Sequence, residues 1–402
     1  MTIGAKMEYL ESIFLRYKKG TRKQKTAILN EFCANCGHHR KHAIRALRTF
    51  KRFSKPKHKK KGKPSIYKNP DVFKPLKHIW LASHLPCSKR FKIILPLWLP
   101  YYEEEFKEQL SQEVIYRLTN ISASSIDRVL KPIRAQYCGK GRSLTKPGSL
   151  LRNQIPIKTD QWDEFRPGFI EADTVHHCGE STEGQYALTV NFTDTASGWT
   201  EQRAVWGKGE QGVFKQTEHV EKSLPFAILG FDSDNGGEFI NDHLFKYFTG
   251  RILNPVQFTR SRAYKKNDNA HIEQKNWTHI RQWLGYSRFD NPKVISLMNN
   301  LFTSEWRLYH NFFCPSVKLI EKKRIASKVI KRYDKPQTPY QRLIASPEID
   351  NKTKLKLNEQ FKNSNPFKLK KAIEIKIQKI HNIQRKFDLK MKIKKEKCRL
   401  LQ

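Results

Sequence analysis

Three acids carry the chemistry this sequence can do. Asp234 lies in Phe231-Asp232-Ser233-Asp234-Asn235-Gly236-Gly237-Glu238-Phe239, and 39 positions later Glu273 lies in Asn267-Asp268-Asn269-Ala270-His271-Ile272-Glu273-Gln274-Lys275-Asn276. Asp173 stands upstream in the apolar run Phe169-Ile170-Glu171-Ala172-Asp173, which reads as a strand. Carboxylates that converge can hold two divalent cations, and hard cations such as magnesium take oxygen ligands. One cation would activate a water or a 3′-hydroxyl while the other stabilised the leaving oxygen, so the set suits in-line displacement at phosphorus with no Ser or Cys nucleophile. Asn235-Gly236-Gly237 permits a tight turn and close approach of backbone to a phosphate. Asp194, Asp232, Glu238 and Asp268 are neighbouring acids, and spacing alone leaves Asp232 as open as Asp234.

The charge points the same way. The chain has 402 residues with 77 Lys and Arg against 38 Asp and Glu, a formal net charge of +39. Such a surplus favours a polyanion bound through phosphate contacts and counterion release, which makes double-stranded DNA the expected partner. There is no run of 18 apolar residues and no apolar signal segment at the start, so the expectation is a cytoplasmic, nucleoid-associated protein with no membrane partner and no small-molecule cofactor. Cys33-Ala34-Asn35-Cys36-Gly37-His38-His39 imitates a zinc half-site, but a second ligand pair is missing nearby. His176-His177-Cys178 follows Asp173 too closely for all three side chains to share one face of a strand.

The elements that must position these acids fall into segments. Residues 1–50 predict three helices: Met7, Leu10, Phe14 and Tyr17 at helical spacing, a stop at Gly20, and a capping box at Thr21-Arg22-Lys23-Gln24 opening a helix through Ala27, Ile28 and Phe32. After a turn at Gly37, a third helix turns Ala43, Ile44 and Leu47 inward and leaves Arg40, Lys41 and Arg45 for DNA. Helix, glycine turn, basic helix is the helix-turn-helix order. Residues 51–66, with eight Lys or Arg in 51–63, read as a basic linker. Residues 67–137 are helical, interrupted at Pro96 and Pro100. They end in a second helix-turn-helix candidate, whose last helix is capped by Ser122, closed by Pro132, and presents Arg128 and Lys131.

A Gly-, Pro- and Lys-rich connector, 138–166, leads to a change of character over 167–320. Strands are predicted at 169–173, 186–192, 199–205, 226–231 and 256–258, helices at 213–220, 238–248 and 269–284, a mixed three-layer α/β sheet with Glu273 on its last helix. Arg260, Arg262, Lys265, Lys266 and Lys275 surround Glu273 and are candidates to hold a DNA backbone, and Asn276 shares the helix face of Glu273. Residues 321–402 form a basic C-terminal region. Its early part is polar, and Ile373, Ile377, Ile380, Ile383, Phe387 and Met391 make its end one long amphipathic helix, free to pack back, pair with a second copy or lie on DNA.

At the three acids the chain resembles the integrase-core transposases of bacterial insertion sequences, relatives of retroviral integrases. The matching stretches are 168–175 around Asp173, 231–241 around Asp234 and 258–277 around Glu273, with Asn311-Phe312-Phe313-Cys314-Pro315 and Lys318-Leu319 similar to the close of that core. The resemblance covers about 167–319 and is weaker over the two helical regions. It implies a ribonuclease H-like core preceded by all-α helix-turn-helix modules and followed by a basic helical tail. It also implies Asp173, Asp234 and Glu273 as catalytic and metal-binding acids, which selects Asp234 over Asp232. Two Mg²⁺ or Mn²⁺ ions, terminal inverted repeats and target DNA as substrates, 3′-end cleavage, strand transfer and a homo-oligomer on DNA are implied with them. A catalytically inactive DNA-binding regulator of the same fold and a nuclease without joining activity are the alternatives.

Overall fold

The computed structural model describes residues 1–50, 65–137, 166–233, 239, 242–252, 255–260, 270–325 and 328–400. Of the linker 51–66 and the connector 138–166, residues 51–64 and 138–165 lie outside them. The chain divides into two compact units, Met1–Pro64 and Ser65–Gln402.

In the first unit, α1 (Ile3–Lys19), α2 (Arg22–Cys36) and α3 (Arg40–Thr49) follow the expected order. Thr21 and Gln24 form the capping box that starts α2, and Gly37, at φ 64°, ends it in the left-handed conformation a side chain would resist. Leu10, Ile13, Ile28, Leu29, Phe32, Cys36, Ala43 and Leu47 make its core. Ile44, expected inward, is 39% exposed: it follows Ala43 by one position, about 100° around the helix and away from the apolar stripe. Cys36 packs in that core against the Met1 sulfur, His38 lies tilted between the rings of Phe32 and His42, and His39 caps α3 by accepting from the Lys41 N–H.

The second unit opens with α4 (Pro70–Ala82), α5 (Ser88–Trp98), α6 (Tyr102–Phe106), α7 (Gln112–Thr119) and α8 (Ala123–Tyr137). Ser122 caps α8 through the Ser125 N–H at 3.0 Å, as expected. Pro96 and Pro132 do not break their helices: Pro96 falls in the last turn of α5, and α8 continues past Pro132. Each proline forfeits one backbone bond, and apolar burial on both sides (Leu95 and Trp98, Leu130 and Ile133) outweighs that loss.

Five strands follow: β1 (Phe169–His176), β2 (Ala187–Asp194), β3 (Thr200–Trp206), β4 (Gly230–Ser233) and β5 (Gln257–Arg260). They form one sheet in the order β3-β2-β1-β4-β5, antiparallel through the first three and parallel from β1 to β4 to β5. The expected strand at 226–231 starts later, at Gly230, because Gly168, at φ 123°, brings its carbonyl to the N–H groups of Leu229 and Gly230 there. A Cβ on Gly168 would lie 2.6 Å from the Ala227 carbonyl oxygen, so the residue must be glycine.

Alternation along the strands makes three layers. Ile170, Ala172, Leu188, Val190, Phe192, Val205 and Phe231 face α9 (Glu210–Ser223) and α10 (Asp242–Thr249). Val175, Ala187 and Ala204 face the opposite layer. That layer holds α11 (Ala270–Lys275), α12 (Gln282–Leu284), α13 (Lys293–Leu301) and α14 (Arg307–Phe313). The segment Asn276–Arg281 joins α11 to α12 as a π-helical turn.

One apolar cluster runs from Val72 on α4 through this layer to Ile380, so 67–137 packs on the sheet domain. Trp98 meets Tyr309 and Phe367 edge to face. The region after Leu319, read as polar chain, forms an antiparallel ribbon of β6 (Leu319–Ile325) and β7 (Lys328–Tyr333), then α15 (Pro339–Ala345) and α16 (Asn351–Lys362). The long terminal helix, α17 (Pro366–Leu400), packs back: Phe367, Ile373 and Ile380 are in the core, whereas Leu389, Met391 and Ile393 are exposed. No helix among the described residues is long and apolar enough to cross a membrane.

Candidate active site

Glu171, Asp173 and Val175 alternate with Ile170, Ala172 and Thr174, so the two acids project toward the α11 layer. Glu171 stands in register with Asp232 on β4, and Asp173 with Asn191 on β2. The β1–β4 pairing ends at Ala172 and Ser233. Asp234, next in sequence, lies outside the described residues, as do Glu238, Arg262, Lys265, Lys266 and Asp268.

Helix α11 is tied to β1 at both ends. The Ile272 N–H donates to the Glu171 Oε2 at 3.1 Å, and the Asn276 Nδ2 donates to the Asp173 Oδ2 at 2.6 Å. Glu273, one residue past Ile272, therefore has its backbone between these two anchors. The Thr174 N–H donates to the other Asp173 oxygen at 2.7 Å.

The Asn276 link continues across the sheet. Gln202 Nε2 donates to Asn191 Oδ1, and Asn191 Nδ2 donates to Asn276 Oδ1, each at 2.8 Å. A carboxylate only accepts, so Asp173 fixes the sense of all three amides, each donating toward it. The relay begins at the Gln202 Oε1, which is buried with no hydrogen-bond partner among the described residues. Gln202 and Asn191 face each other in the β3–β2 register, and both are buried. Nothing in the local sequence of β2 or β3 marks these amides: two polar residues inside strands become legible only when the register sets them in line with Asp173.

Electrostatics on this face are crowded with negative charge. Burial pushes the Glu171 carboxyl up to about 8, with nearby Asp232 and Asp173 adding to the rise and the Ile272 hydrogen bond opposing it. Asp232 accepts from the Thr259 hydroxyl at 2.7 Å. Asp194 sits elsewhere: buried in the β2–β3 turn, it accepts from the Gly168 N–H and from Ser197 N–H and Oγ–H at 2.6–2.8 Å.

Among the expected DNA-holding residues, Arg40, Lys41 and Arg45 on α3 and Arg128 and Lys131 on α8 are exposed, and Arg260 closes β5. Lys275 corrects the expectation: it is 5% exposed, because its place on α11 turns it into the helical layer near Arg90 and Cys314, and burial takes its ammonium down to about 7. Asn276 hydrogen-bonds Asp173 and Asn191. His176 and His177 point to opposite sides of β1, His176 to Tyr186 and Thr174, His177 into the core against Thr189 at 2.8 Å.

His177 and two further buried rings, His279 and His310, have a pH consequence. Burial takes His177 down to about 3 and the other two well below the ordinary histidine value. All three are neutral in the native state, while the unfolded chain protonates them below about pH 6.5. Their stability contribution is complete above that pH and is lost as pH falls. Glu171 acts the other way, since the native state keeps its proton between its unfolded value and about 8. His78, His84, His219 and His381 are lowered by burial in the same direction and Asp194 is raised like Glu171, and with more histidines than carboxyls shifted the unfolding free energy is expected to drop as pH falls from 6 to 5. Urea melts across that range measure it, and a flat profile would show that these rings protonate in the folded state.

Against known proteins, no family model matches the chain. It is 36% identical over 343 residues to uncharacterized protein y4rM of Sinorhizobium fredii (strain NBRC 101917 / NGR234), an alignment that spans 85% of this chain and 96% of that protein. The chain belongs to the family of y4rM. Among solved structures, the HTLV-2 integrase catalytic core domain in complex with magnesium is 14% identical, with 37% of this chain and 90% of that one covered and a TM-score of 0.27. A simian T-cell lymphotropic virus intasome in complex with the PP2A regulatory subunit B56 gamma is also 14% identical, with 62% and 76% covered and a TM-score of 0.33. Likenesses at these scores decide nothing about activity. The mixed α/β architecture rests on the strand pairing itself.

Proposed function

We propose that this protein is a DNA transposase with a ribonuclease H-like core, and that Asp173, Asp234 and Glu273 are its catalytic and metal-binding acids. The observation that carries the reading is the double anchoring of α11 on β1, which holds the Glu273 backbone between contacts to Glu171 and Asp173. The sequence resemblance at the three acids supports it, as does the net charge of +39.

The donor set fits hard divalent cations. Asp173 and the neighbouring carboxyls on its sheet face offer oxygen donors of the kind hard cations take, and since the described residues alone assemble no group of three, Asp234 and Glu273 would complete the set. Two Mg²⁺ or Mn²⁺ ions held by the three acids would supply Lewis-acid activation of the attacking oxygen and charge neutralisation at the leaving one. The Asn276 amide orients Asp173, the Glu171 carboxyl holds the start of α11, and the sheet supplies a rigid floor. Arg40, Lys41, Arg45, Arg128, Lys131, Arg260, Arg262, Lys265 and Lys266 are proposed to contact phosphates, with the element ends and the target as DNA partners and a homo-oligomer as the working form. The β6–β7 ribbon, whose sequence includes Lys322, Lys323, Arg324, Lys328, Lys331 and Arg332, is a further basic surface that the sequence reading passed over.

Duplexes bearing the sequences that flank the coding region, incubated with the full chain and Mg²⁺, test the proposal. Nicking at a 3′ end followed by joined products is the expected result. Cleavage without joining would replace it with a nuclease, and binding without cleavage with a regulator.

Asn276→Ala carries its own expectation. It releases Asp173 and leaves the Asn191 amide unpaired, so cleavage should fall about 10- to 100-fold. DNA affinity should stay unchanged in a filter-binding assay. Equal loss of binding and cleavage would show that Asn276 contacts DNA and does not position Asp173.

A further inference from the structure

A cavity of about 70 Å³ lies among α5, the π-helical turn after α11, and α14, lined by Arg90, His279, Trp283, Tyr309, His310 and Cys314 among others. No carboxylate lines it. Neither ring nitrogen of the buried His310 has a hydrogen-bond partner among the described residues, and nor does His279 Nε2. The two rings stack with centroids 4.1 Å apart, and His279 Nδ1 faces the Thr278 hydroxyl at 2.8 Å. No carboxylate pairs with Arg90 among the described residues, and the buried Lys275 lies near enough to act, with Arg90, on His279.

Arg90 is half-buried and its side chain also reaches Cys87, while the buried imidazole N–H donors without acceptors are unfavourable in a protein interior. Each neutral imidazole still brings one N–H donor, and the Arg90 fork matches an oxyanion bidentately. By the same volume measure one water needs about 10–15 Å³, so the cavity has room for the four oxygens of a phosphate and none for a nucleotide. A metal ion does not suit it, since no group of three or more metal-binding side chains is assembled among the described residues.

We propose that this cavity is a binding site for a single phosphate group, held by Arg90 and the rings of His279 and His310. The proposal does not depend on the role of the three candidate acids. The same chemistry could come from free phosphate or from the 5′-phosphate at a DNA end.

The test is isothermal titration of sodium phosphate into the full chain, with ionic strength held constant by chloride so that general attraction to a strongly basic protein cancels. One saturable site is expected, with affinity reduced at least tenfold in Arg90→Gln and unchanged in Lys356→Gln, an exposed residue of α16. Should Arg90→Gln fail to fold, Arg90→Lys, which keeps the charge and loses the fork, should show a smaller loss at the same site. Absence of one-site binding, or equal affinity in wild type and the Arg90 variant, overturns the proposal. Competition with short duplexes then separates the sources. Displacement by a 5′-phosphorylated duplex but not by its 5′-hydroxyl twin assigns the site to a DNA end, and displacement by neither assigns it to free phosphate.

Discussion

Glu273→Gln in the full chain is expected to abolish 3′-end cleavage and joining, by about a thousandfold or more, while leaving DNA binding intact. The magnitude follows from the role proposed for the acid: removing one preorganised group that stabilises transition-state charge costs about 10²–10³, and a metal ligand acts on both the attacking and leaving oxygens. The substitution keeps side-chain size and removes charge, and the anchors of α11 are the Ile272 N–H and the Asn276 amide, neither of which it touches. Fold and DNA affinity should therefore survive, as circular dichroism and filter binding would record. Full joining activity in the variant would sink the assignment. Asp173→Asn should show the same loss, with one difference: an amide in place of the carboxylate disturbs the acceptor that orders Asn276, Asn191 and Gln202, so a fall in stability should accompany it.

The largest expected effect on stability lies at Glu201. Its carboxylate is fully buried, accepts from the Trp199 indole at 3.1 Å, and pairs with Arg203 at 3.1 Å and with Arg307. Arg203 is itself 1% exposed and spends its other donors on His219, Ser223 and the Gln202 carbonyl at 2.7–3.1 Å. Glu201→Ala leaves this guanidinium inside the protein without a counter-charge, and breaking a buried pair from one side costs about 3–5 kcal/mol. That is a large share of the roughly 5–15 kcal/mol that a domain has in all. Urea melts of the full chain, following the transition of the larger unit, should show the loss. The triple variant Glu201→Leu, Arg203→Met, Arg307→Met should recover much of it, because a buried charge cluster replaced as a whole by apolar groups is often neutral. A loss below about 1 kcal/mol in the single variant would mean that solvent reaches Arg203.

Local signals were read well where the physics is local. The capping box at Thr21, the glycine at 37 and the Ser122 cap depend on residues three or four apart, and each appears where spacing placed it. The strands at 169–173, 186–192 and 199–205 were legible because buried β-structure needs short apolar runs between turn residues. The ribbon of β6 and β7 was missed for the same reason: its sequence is rich in lysine and arginine and has no apolar alternation to find. Pro96 and Pro132 misled because proline is a local penalty that tertiary burial can outweigh.

What the sequence by itself determined is the order of acids along a basic chain, the strand that bears Asp173 and the helix that bears Glu273, because each depends on neighbours a few positions away. Tertiary structure alone decided which polar residues serve those acids. Asn276 reaches Asp173 across 103 positions and Asn191 across 85, Lys275 turns inward into the helical layer, and α17 closes on the same core as α4. No spacing rule encodes such pairs, since they exist only after sheet register and helix packing have brought distant segments within hydrogen-bond reach.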